Sequence, residues 1–481
     1  MSGSMVAGTA APLILTSHPL QRAGAWAVAV MASRPSPQEV STDDLDGVAS
    51  RLVEDVTAAA VAAKETAAYD WWKVLFALYP NSKATHSKRP RDRAALRESM
   101  AELFAADPAG AVTRPCTFCG MPASAVWTKS NLPMFDTNKA LNTLPPGVPG
   151  WPVCRGCRIC AWALPYAAWV TAGSATVLTC ERDEAEASFA RRNVLRARRV
   201  MQLGFDGLPV GARAELVAAR ALRALPPRLP AGTTLWSFKN DNQEPWLRVT
   251  RTRRAVPVFL AAVTGSAELR RGWRLLERSL TYRDRSGQVT VSGPDEAARL
   301  LFEAEDGRSR SLLMQLHRLL SSEDRSWRAV DRASLTRLAF TYAKDVLGMT
   351  TDLEPVAELI ADWIEHGSGS PRGRLAEYRA VALSDYKLGA LLLQAQYRLT
   401  MDGRRVAAGP QHWKPLIEQR PRGWEQRMLL GATVFRLLQE RGVAIAAESA
   451  ERSEDERDDS LADLLEQPPL GLDEDDEMGP A

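Results

Sequence analysis

The sequence lacks long apolar runs: no uninterrupted apolar stretch reaches the ~18 residues that suggest a membrane-spanning helix. It also lacks a signal-peptide pattern, because no cleavage-like region follows the short apolar stretch at residues 23–32. We therefore expect neither membrane insertion nor secretion, and the sequence predicts a cytoplasmic protein. Hydrophobic residues make up 45% and charged residues 25%, which are ordinary globular values and exclude a fibrous or wholly disordered chain.

Residue patterns that carry catalysis are also scarce. The chain has five histidines, and none lies in an HExxH, HNH-like or Cys/His arrangement. Neither a Walker loop nor a GxGxxG turn is present, which disfavours a nucleotide-dependent enzyme. The sequence therefore predicts a binding protein rather than an enzyme, with a hydrolase whose site shows no motif as the remaining alternative.

The net charge of +3 conceals two unlike parts. From Glu448 onward, 34 residues hold 14 acidic side chains and two arginines, a net charge of −12, which leaves +15 on the preceding 447 residues. A basic body is typical of proteins that bind a polyanion, most often nucleic acid. The alternative is a codon bias towards arginine, since lysine supplies only 10 of the 61 basic residues.

Five of the six cysteines lie within 45 residues and are regularly spaced. Cys116 and Cys119 form one Cys-x-x-Cys pair, and Cys154 and Cys157 form a second. Two such pairs on separate turns present four thiolates to one tetrahedral Zn²⁺, and four protein ligands leave no open position for a catalytic water. The sequence therefore predicts a structural zinc held by Cys116, Cys119, Cys154 and Cys157.

The cysteines have other possible roles. Disulfides are disfavoured without a secretion signal, and free thiols do not explain the paired spacing. Cys160 stands three residues after Cys157, so the second pair is ambiguous. We favour Cys154 with Cys157, because Cys160 opens an apolar run and is typical of a buried small side chain.

Arginine-rich stretches mark candidate nucleic-acid surfaces. On a helix, Arg192, Arg196 and Arg199 would share one face and form a stripe able to follow a phosphate backbone. A polar loop at residues 239–243, between two expected strands, offers amides that could contact base edges. Solvated charges and an ordinary turn are the alternatives. The predicted nucleic-acid-binding residues are Arg191, Arg192, Arg196, Arg199, Lys239, Asn240, Asn242, Gln243, Arg251, Arg253 and Arg254.

The pattern of apolar residues and breakers predicts an α+β fold that is predominantly α-helical. We expect an α/β region with an inserted, loop-rich cysteine-type zinc module, followed by a C-terminal helical bundle in which residues 371–399 form one helix. The predicted segments are a mostly helical region (1–111), the zinc module (112–165), an α/β region with a basic helix and a hairpin (166–254), a helical region (255–345), the helical bundle (346–447) and a disordered acidic tail (448–481).

Four segments, in this order, resemble the large subunit of the type I-B CRISPR Cascade, in the subtype with a cysteine-type zinc module. They cover most of residues 14–262. The segments are "LTSHPLQRAGAWAVAVMA" followed by "STDDLDGVA", "CTFCG" with "CRGCRICAWALPY", "LWSFKNDNQEPWLRV", and "VPVFLAAV" with the helical region after it.

This resemblance implies a non-catalytic subunit of a guide-RNA surveillance complex. Its expected partners are guide RNA, double-stranded target DNA, the other Cascade subunits and a separate helicase-nuclease. Its expected role is to recognise the short motif beside the DNA target and to stabilise the R-loop. The resemblance also implies that the C-terminal helices could be made separately, for example from Met349.

The chain departs from the family where Asp241 and Asn242 replace the usual aromatic residue and glycine. The long acidic tail is not carried over from the family either. The alternative function is a stand-alone zinc-ribbon DNA-binding regulatory protein, which predicts a compact reader domain and a dimer.

Overall fold

The computed structural model describes most of the chain, and helices dominate it. The residues described are 13–128, 130–133, 149–208, 212–226, 229–240, 244–304, 311–320, 328–349, 352–406, 408–419, 423–443 and Leu472. They contain 17 α-helices and a few small antiparallel sheets. They group into two compact units, the first within Met1–Leu225 and Ala231–Thr252, the second within Pro226–Pro230 and Arg253–Glu474. The prediction of a mostly helical chain with small sheets is confirmed.

The first unit combines seven helices with short strands among the described residues. Its helices are α1 (Pro19–Met31), α2 (Thr42–Val61), α3 (Ala67–Leu78), α4 (Arg93–Phe104), α5 (Arg155–Ala167), α6 (Asp183–Leu203) and α7 (Ala214–Arg223). Its strands are β1 (Arg114–Pro115), β2 (Pro122–Ala123), β3 (Val126–Trp127), β4 (Trp151–Pro152), β5 (Trp169–Val170), β6 (Ala175–Cys180), β7 (Thr233–Lys239) and β8 (Trp246–Thr252).

Helices α1 and α5 form the centre of the first unit, because small side chains let them approach closely. A Cβ added at Gly24 of α1 would overlap the carbonyl oxygen of Cys160 in α5. The core around this crossing is rich in aromatic residues: Tyr79 and Trp162 stack with ring centroids 4.2 Å apart. The hydroxyl of Tyr79 donates to the carbonyl of Ala161, so this ring is fixed at both its face and its edge.

Strands β5 to β8 pair antiparallel in chain order, and β7 and β8 form the predicted hairpin. One face of the sheet, which includes Val177 and Phe238, belongs to the same apolar core as α1. The buried carboxylate of Glu186 in α6 joins the sheet to the helices. It accepts hydrogen bonds from Arg22, from the Trp26 indole at 2.7 Å and from the Cys180 amide at 2.8 Å. Burial raises the pKa of Glu186 although these donors favour its charged form.

The second unit is mainly helical. Its helices are α8 (Val256–Gly265), α9 (Ala267–Leu280), α10 (Gly293–Arg299), α11 (Leu312–Leu320), α12 (Ala329–Thr341), α13 (Glu354–His366), α14 (Pro371–Val381), α15 (Asp385–Met401), α16 (Pro410–Ile417) and α17 (Gly423–Glu440). A π-helical turn, Tyr342–Val346, continues α12. The short strands are β9 (Tyr282–Arg283), β10 (Val289–Val291) and β11 (Glu303–Ala304).

Leucines and alanines from α13 to α17 form one continuous apolar core in the second unit. Buried arginines donate hydrogen bonds to backbone carbonyls at the ends of its helices. Arg374 is 5% exposed and donates to the carbonyls of Ile364, Gly367 and Gly369 at the end of α13. Helix C-termini leave carbonyls without intrahelical partners, so this arginine supplies donors that the backbone lacks.

Two sequence predictions were wrong in detail. The segment 371–399 was expected to form one helix, but it forms α14 and α15, because Ser384 caps a new helix and accepts from the Lys387 amide. The module 112–165 was expected to be rich in loops throughout, but its last part is the buried helix α5. Pro165 lies within this helix, near its C-terminal end.

Candidate metal centre and basic surfaces

The first cysteine pair lies on the turn of the β1–β2 hairpin. The amide of Cys116 donates to the carbonyl of Met121 at 2.8 Å, and the amide of Gly120 donates to the carbonyl of Cys116 at 2.9 Å. Gly120 has a φ of +76°, a left-handed conformation that glycine adopts at little cost. This tight turn directs Cys116 and Cys119 to the same side.

The second cysteine pair lies at the start of α5. Cys154 is the N-cap residue of this helix, and Cys157 follows in its first turn. The amide of Thr117 in the first knuckle donates to the carbonyl of Pro152 at 2.9 Å, so the backbone itself connects the two pairs. A helix N-terminus carries partial positive charge, which favours thiolates at this position.

The two pairs converge into one cluster. The sulfur atoms of Cys116, Cys119, Cys154 and Cys157 all lie within 4.8 Å of one another, close enough to hold one metal ion. Hydrogen bonds with the other thiols, Cys119 first, lower the pKa of Cys116, whereas hydrogen bonds with the other thiols, Cys116 first, raise the pKa of Cys154 and of Cys157. The predicted four-cysteine cluster is confirmed, and its all-sulfur donor set is compatible with zinc.

The remaining cysteines lie outside the cluster. Cys160 is fully buried in α5, and burial raises the pKa of its thiol. Cys180 ends β6, where its sulfur accepts a hydrogen bond from the hydroxyl of Thr233. The choice of Cys154 with Cys157 as the second pair therefore agrees with the geometry, and Cys160 is a core residue.

Two arginines beside the cluster are structural, and the sequence analysis missed them. Arg158 is 3% exposed and donates to the carbonyls of Leu103 and Ala105 and to Asp107. Arg155 donates to the carbonyl of Phe104 at 2.8 Å. Together they attach the second knuckle to the C-terminal end of α4. Their position next to the cysteines was visible, but only the fold shows which carbonyls they reach.

A small cavity of about 190 Å³ adjoins the cluster. Its lining includes His18, Phe118, Trp151 and Cys157. The His18 ring packs edge-on against Phe118 with centroids 4.9 Å apart, and burial lowers the pKa of His18. These contacts give the histidine of the His-Pro segment a packing role beside the first knuckle.

The predicted basic helix is confirmed as α6, but its arginines are not equivalent. Arg191 and Arg198 are exposed, while Arg192 and Arg199 are partly buried. The guanidinium of Arg196 donates to the carbonyl of Val170 at 2.8 Å and lies 5.1 Å from the ring centroid of Trp169. Arg196 thus has an internal role, and the exposed basic surface of α6 is centred on Arg191 and Arg198.

The predicted polar loop of the hairpin is only partly described. Asn242 and Gln243 lie outside the described residues. Asn240 is fully buried, and its side-chain amide donates to the carbonyl of Leu78 at 2.7 Å. The predicted contact of Asn240 with a base edge does not fit this burial, because the side chain instead connects the hairpin to the end of α3.

Beside that loop, the sheet presents a mixed aromatic and basic surface that the sequence analysis did not single out as a unit. Lys239 of β7 pairs with Trp246 of β8, and Arg248 follows two residues later, so the three side chains share one face. Trp246 is 42% exposed and Arg248 is exposed. The signal in the sequence was the alternation "WLR", which places Trp246 and Arg248 on the same side of a strand.

Of the last three predicted arginines, Arg251 lies in β8, and Arg253 and Arg254 follow that strand. Arg251 and Arg254 are exposed, whereas Arg253 pairs with Glu303 at 3.0 Å. Glu303 therefore partly neutralises the charge of Arg253.

Comparison of the chain with protein-family models, with curated proteins and with solved structures finds no match. Among the described residues, no helix has both the length and the apolar character needed to span a membrane.

Proposed function

We propose that this chain is a non-catalytic, cytoplasmic nucleic-acid-binding subunit whose first unit is stabilised by a structural zinc. In its most specific form the proposal is the large subunit of a type I-B CRISPR Cascade. The observation that carries nucleic-acid binding is the surface of Lys239, Trp246 and Arg248 on one face of the sheet. The four ordered sequence segments support the more specific assignment.

The zinc has a structural role in this proposal. Cys116, Cys119, Cys154 and Cys157 would supply four thiolates, which complete tetrahedral coordination and leave no position for a reacting water. The ion would hold the hairpin turn against the N-terminus of α5. It therefore positions the parts of the first unit and takes no part in a reaction.

The aromatic and basic surface suits single-stranded or unpaired nucleic acid. An exposed indole such as Trp246 offers a face on which a base stacks, and nearby cations contact the phosphates. Arg191 and Arg198 add an exposed basic surface on α6. In the proposed complex, guide RNA reads the target DNA by base pairing while the protein recognises the adjacent motif, stabilises the R-loop and recruits the helicase-nuclease.

Reconstitution tests the assignment directly. The chain is mixed with guide RNA and the other Cascade subunits, and binding to a matched double-stranded target is measured with and without each component. We expect duplex binding that requires guide RNA. Sequence-specific binding by the chain alone, as a dimer, would instead support the stand-alone zinc-ribbon regulator.

Trp246→Ala tests the surface itself. We expect affinity for DNA in the assembled complex to fall about tenfold, since one stacked base contributes roughly 1–3 kcal/mol. The matched control is Tyr282→Ala, which removes another exposed aromatic side chain, 65% exposed, from the second unit. Equal affinity of both variants and the wild-type complex would remove Trp246 from the binding surface.

Charge reversal tests α6. Arg191→Glu with Arg198→Glu should weaken binding to all sequences and flatten its salt dependence, because fewer counterions are released. Lys64→Glu, which reverses another exposed cation, is the control. If the dependence of DNA affinity on salt concentration stayed unchanged, these arginines would be solvated side chains that do not contact the nucleic acid.

A further inference from the structure

Helix α15 carries an exposed apolar stripe on the side away from the core. The stripe consists of Tyr386, Leu393, Tyr397 and Met401, which are 84%, 44%, 62% and 81% exposed. At 100° per residue, these positions fall within a sector of about 80° of the helix circumference.

The opposite side of α15 is buried in the core of the second unit, through Leu388, Leu392 and Leu399 among others. The helix is therefore apolar on two sides, although only one side is packed. A surface helix normally has one apolar face, so a second apolar face indicates an interaction surface.

Basic side chains border the stripe. Lys387 and Arg398 lie along one flank of α15, and Arg404 and Arg405 follow its C-terminal end, all four exposed. Arg398 pairs with Asp402 at 3.2 Å. This border favours an occupant that combines apolar side chains with carboxylates.

The acidic tail has this chemistry. Within residues 448–481, Leu461, Leu464 and Leu465 stand at spacings i, i+3 and i+4, with Asp463 and Glu466 beside them. Such spacing is typical of one apolar helix face. The tail therefore carries a leucine-rich acidic segment, residues 461–466, that no part of the proposed function uses.

One tail residue is described, and it is covered. Leu472 is 1% exposed and groups with the second unit, which also contains α15. The seven residues from Leu465 to Leu472 span at most about 25 Å when fully extended. Leu465 is therefore tethered within about 25 Å of a residue that groups with the second unit.

We propose that residues 461–466 dock on the apolar stripe, with their leucines against Leu393, Tyr397 and Met401. Their carboxylates would face Lys387, Arg404 and Arg405. Attachment to the same chain gives the segment an effective concentration in the millimolar range, so a weak contact suffices to keep the stripe covered. Nucleic acid fits less well, because bases stack on aromatic rings whereas Leu393 and Met401 are aliphatic.

Hydroxyl-radical footprinting of the full chain tests the proposal, since it reports the exposure of individual Met and Tyr side chains. Oxidation of Met401 and Tyr397 is compared between the wild-type chain and a variant carrying Leu464→Ser and Leu465→Ser. We expect oxidation to rise about tenfold in the variant, which is the protection that a millimolar effective concentration gives against a dissociation constant near 0.1 mM. Tyr282 is the internal reference, and Met478→Ser is the matched tail control; neither should change.

Three outcomes would overturn the proposal. Equal oxidation of Met401 in the wild-type chain and the leucine variant would show that the tail does not cover the stripe. Protection that grows with protein concentration would assign the stripe to a second copy of the chain. Protection that appears only when single-stranded DNA is added, in both chains alike, would assign it to nucleic acid.

Discussion

The first and second units of this chain are each stabilised internally by different means. In the first unit, the strands that carry the knuckles are two residues long, β1 to β4, and four cysteine sulfurs lie together between them and α5. In the second unit, α13 to α17 bury a continuous core of leucine, isoleucine, valine and tryptophan side chains. Short strands fix too little backbone to be stable alone, so the knuckles need a further constraint, and their four sulfurs lie close enough together to hold a metal ion. The rest of the first unit and the helices of the second unit are held by packed apolar cores.

The largest expected effect comes from removing one cysteine ligand. Cys116→Ser should abolish stoichiometric zinc binding and unfold the region between β1 and α5, because structural zinc contributes roughly 10–16 kcal/mol in isolated zinc modules. Metal analysis and thermal unfolding of the purified chain provide the measurement. Cys180→Ser is the matched control, since Cys180 is also buried but lies outside the cluster. Equal zinc content in the Cys116 variant and the wild-type chain would separate the cluster from metal binding.

A second effect distinguishes two helical glycines of the first unit. Gly24→Ala should destabilise this unit by about 3 kcal/mol or more, because the added methyl group overlaps the backbone of α5. Gly47→Ala is the matched control: nothing lies within 4 Å of its added Cβ, so the better helix former should stabilise the chain by roughly 0.5–1 kcal/mol. Denaturant unfolding measures both, and similar changes in the two variants would contradict the close crossing of α1 and α5.

In the second unit we expect the stability to depend on hydrogen bonds that cap a helix end, and not on a metal. Arg374→Leu should cost about 3 kcal/mol, because it leaves the carbonyls of Ile364 and Gly367 without donors. Arg374→Lys should restore little, since an ammonium lacks the planar fork that reaches both carbonyls. The exposed Arg372→Leu is the control. If added zinc restored the stability of the Arg374→Leu variant, the second unit would also depend on a metal, and the two units would not differ in this respect.

The smallest effect concerns the break between α14 and α15. Ser384→Ala should cost about 1 kcal/mol, because the Ser384 side chain caps α15 at the Lys387 amide. Ser384→Asp should retain most of the stability, since aspartate caps equally well. Urea unfolding of the two variants measures the difference, and equal midpoints would show that the cap adds nothing.

The sequence predicted the cysteine cluster well, because Cys-x-x-Cys spacing is a local pattern that encodes its own geometry. It predicted α6 and the β7–β8 hairpin for the same reason: helical and alternating periods are local. It failed at Ser384, where a capping residue interrupts an otherwise helical pattern. Capping depends on one hydrogen bond, which the apolar pattern does not register.

The arginines show where sequence reasoning reached its limit. Arginine-rich stretches suggested nucleic-acid surfaces, yet Arg89 of the stretch "HSKRPRDR" donates to the carbonyl of Ala60 at the end of α2. Arg271 pairs with Asp331 at 2.6 Å in the interior. Some arginines are buried because they bind partners that are distant in the sequence. The number of arginines in a stretch therefore overestimates the positive charge at the surface.

Hydrogen exchange with and without a metal chelator tests the central claim most directly. The zinc-loaded chain is compared with the chelated chain, residue range by residue range. We predict that chelation accelerates exchange in residues 114–128 and 151–167, while exchange in α13 and α17 stays unchanged. A fully folded, metal-free chain with protected knuckles would contradict the account, and so would simultaneous loss of protection in both units.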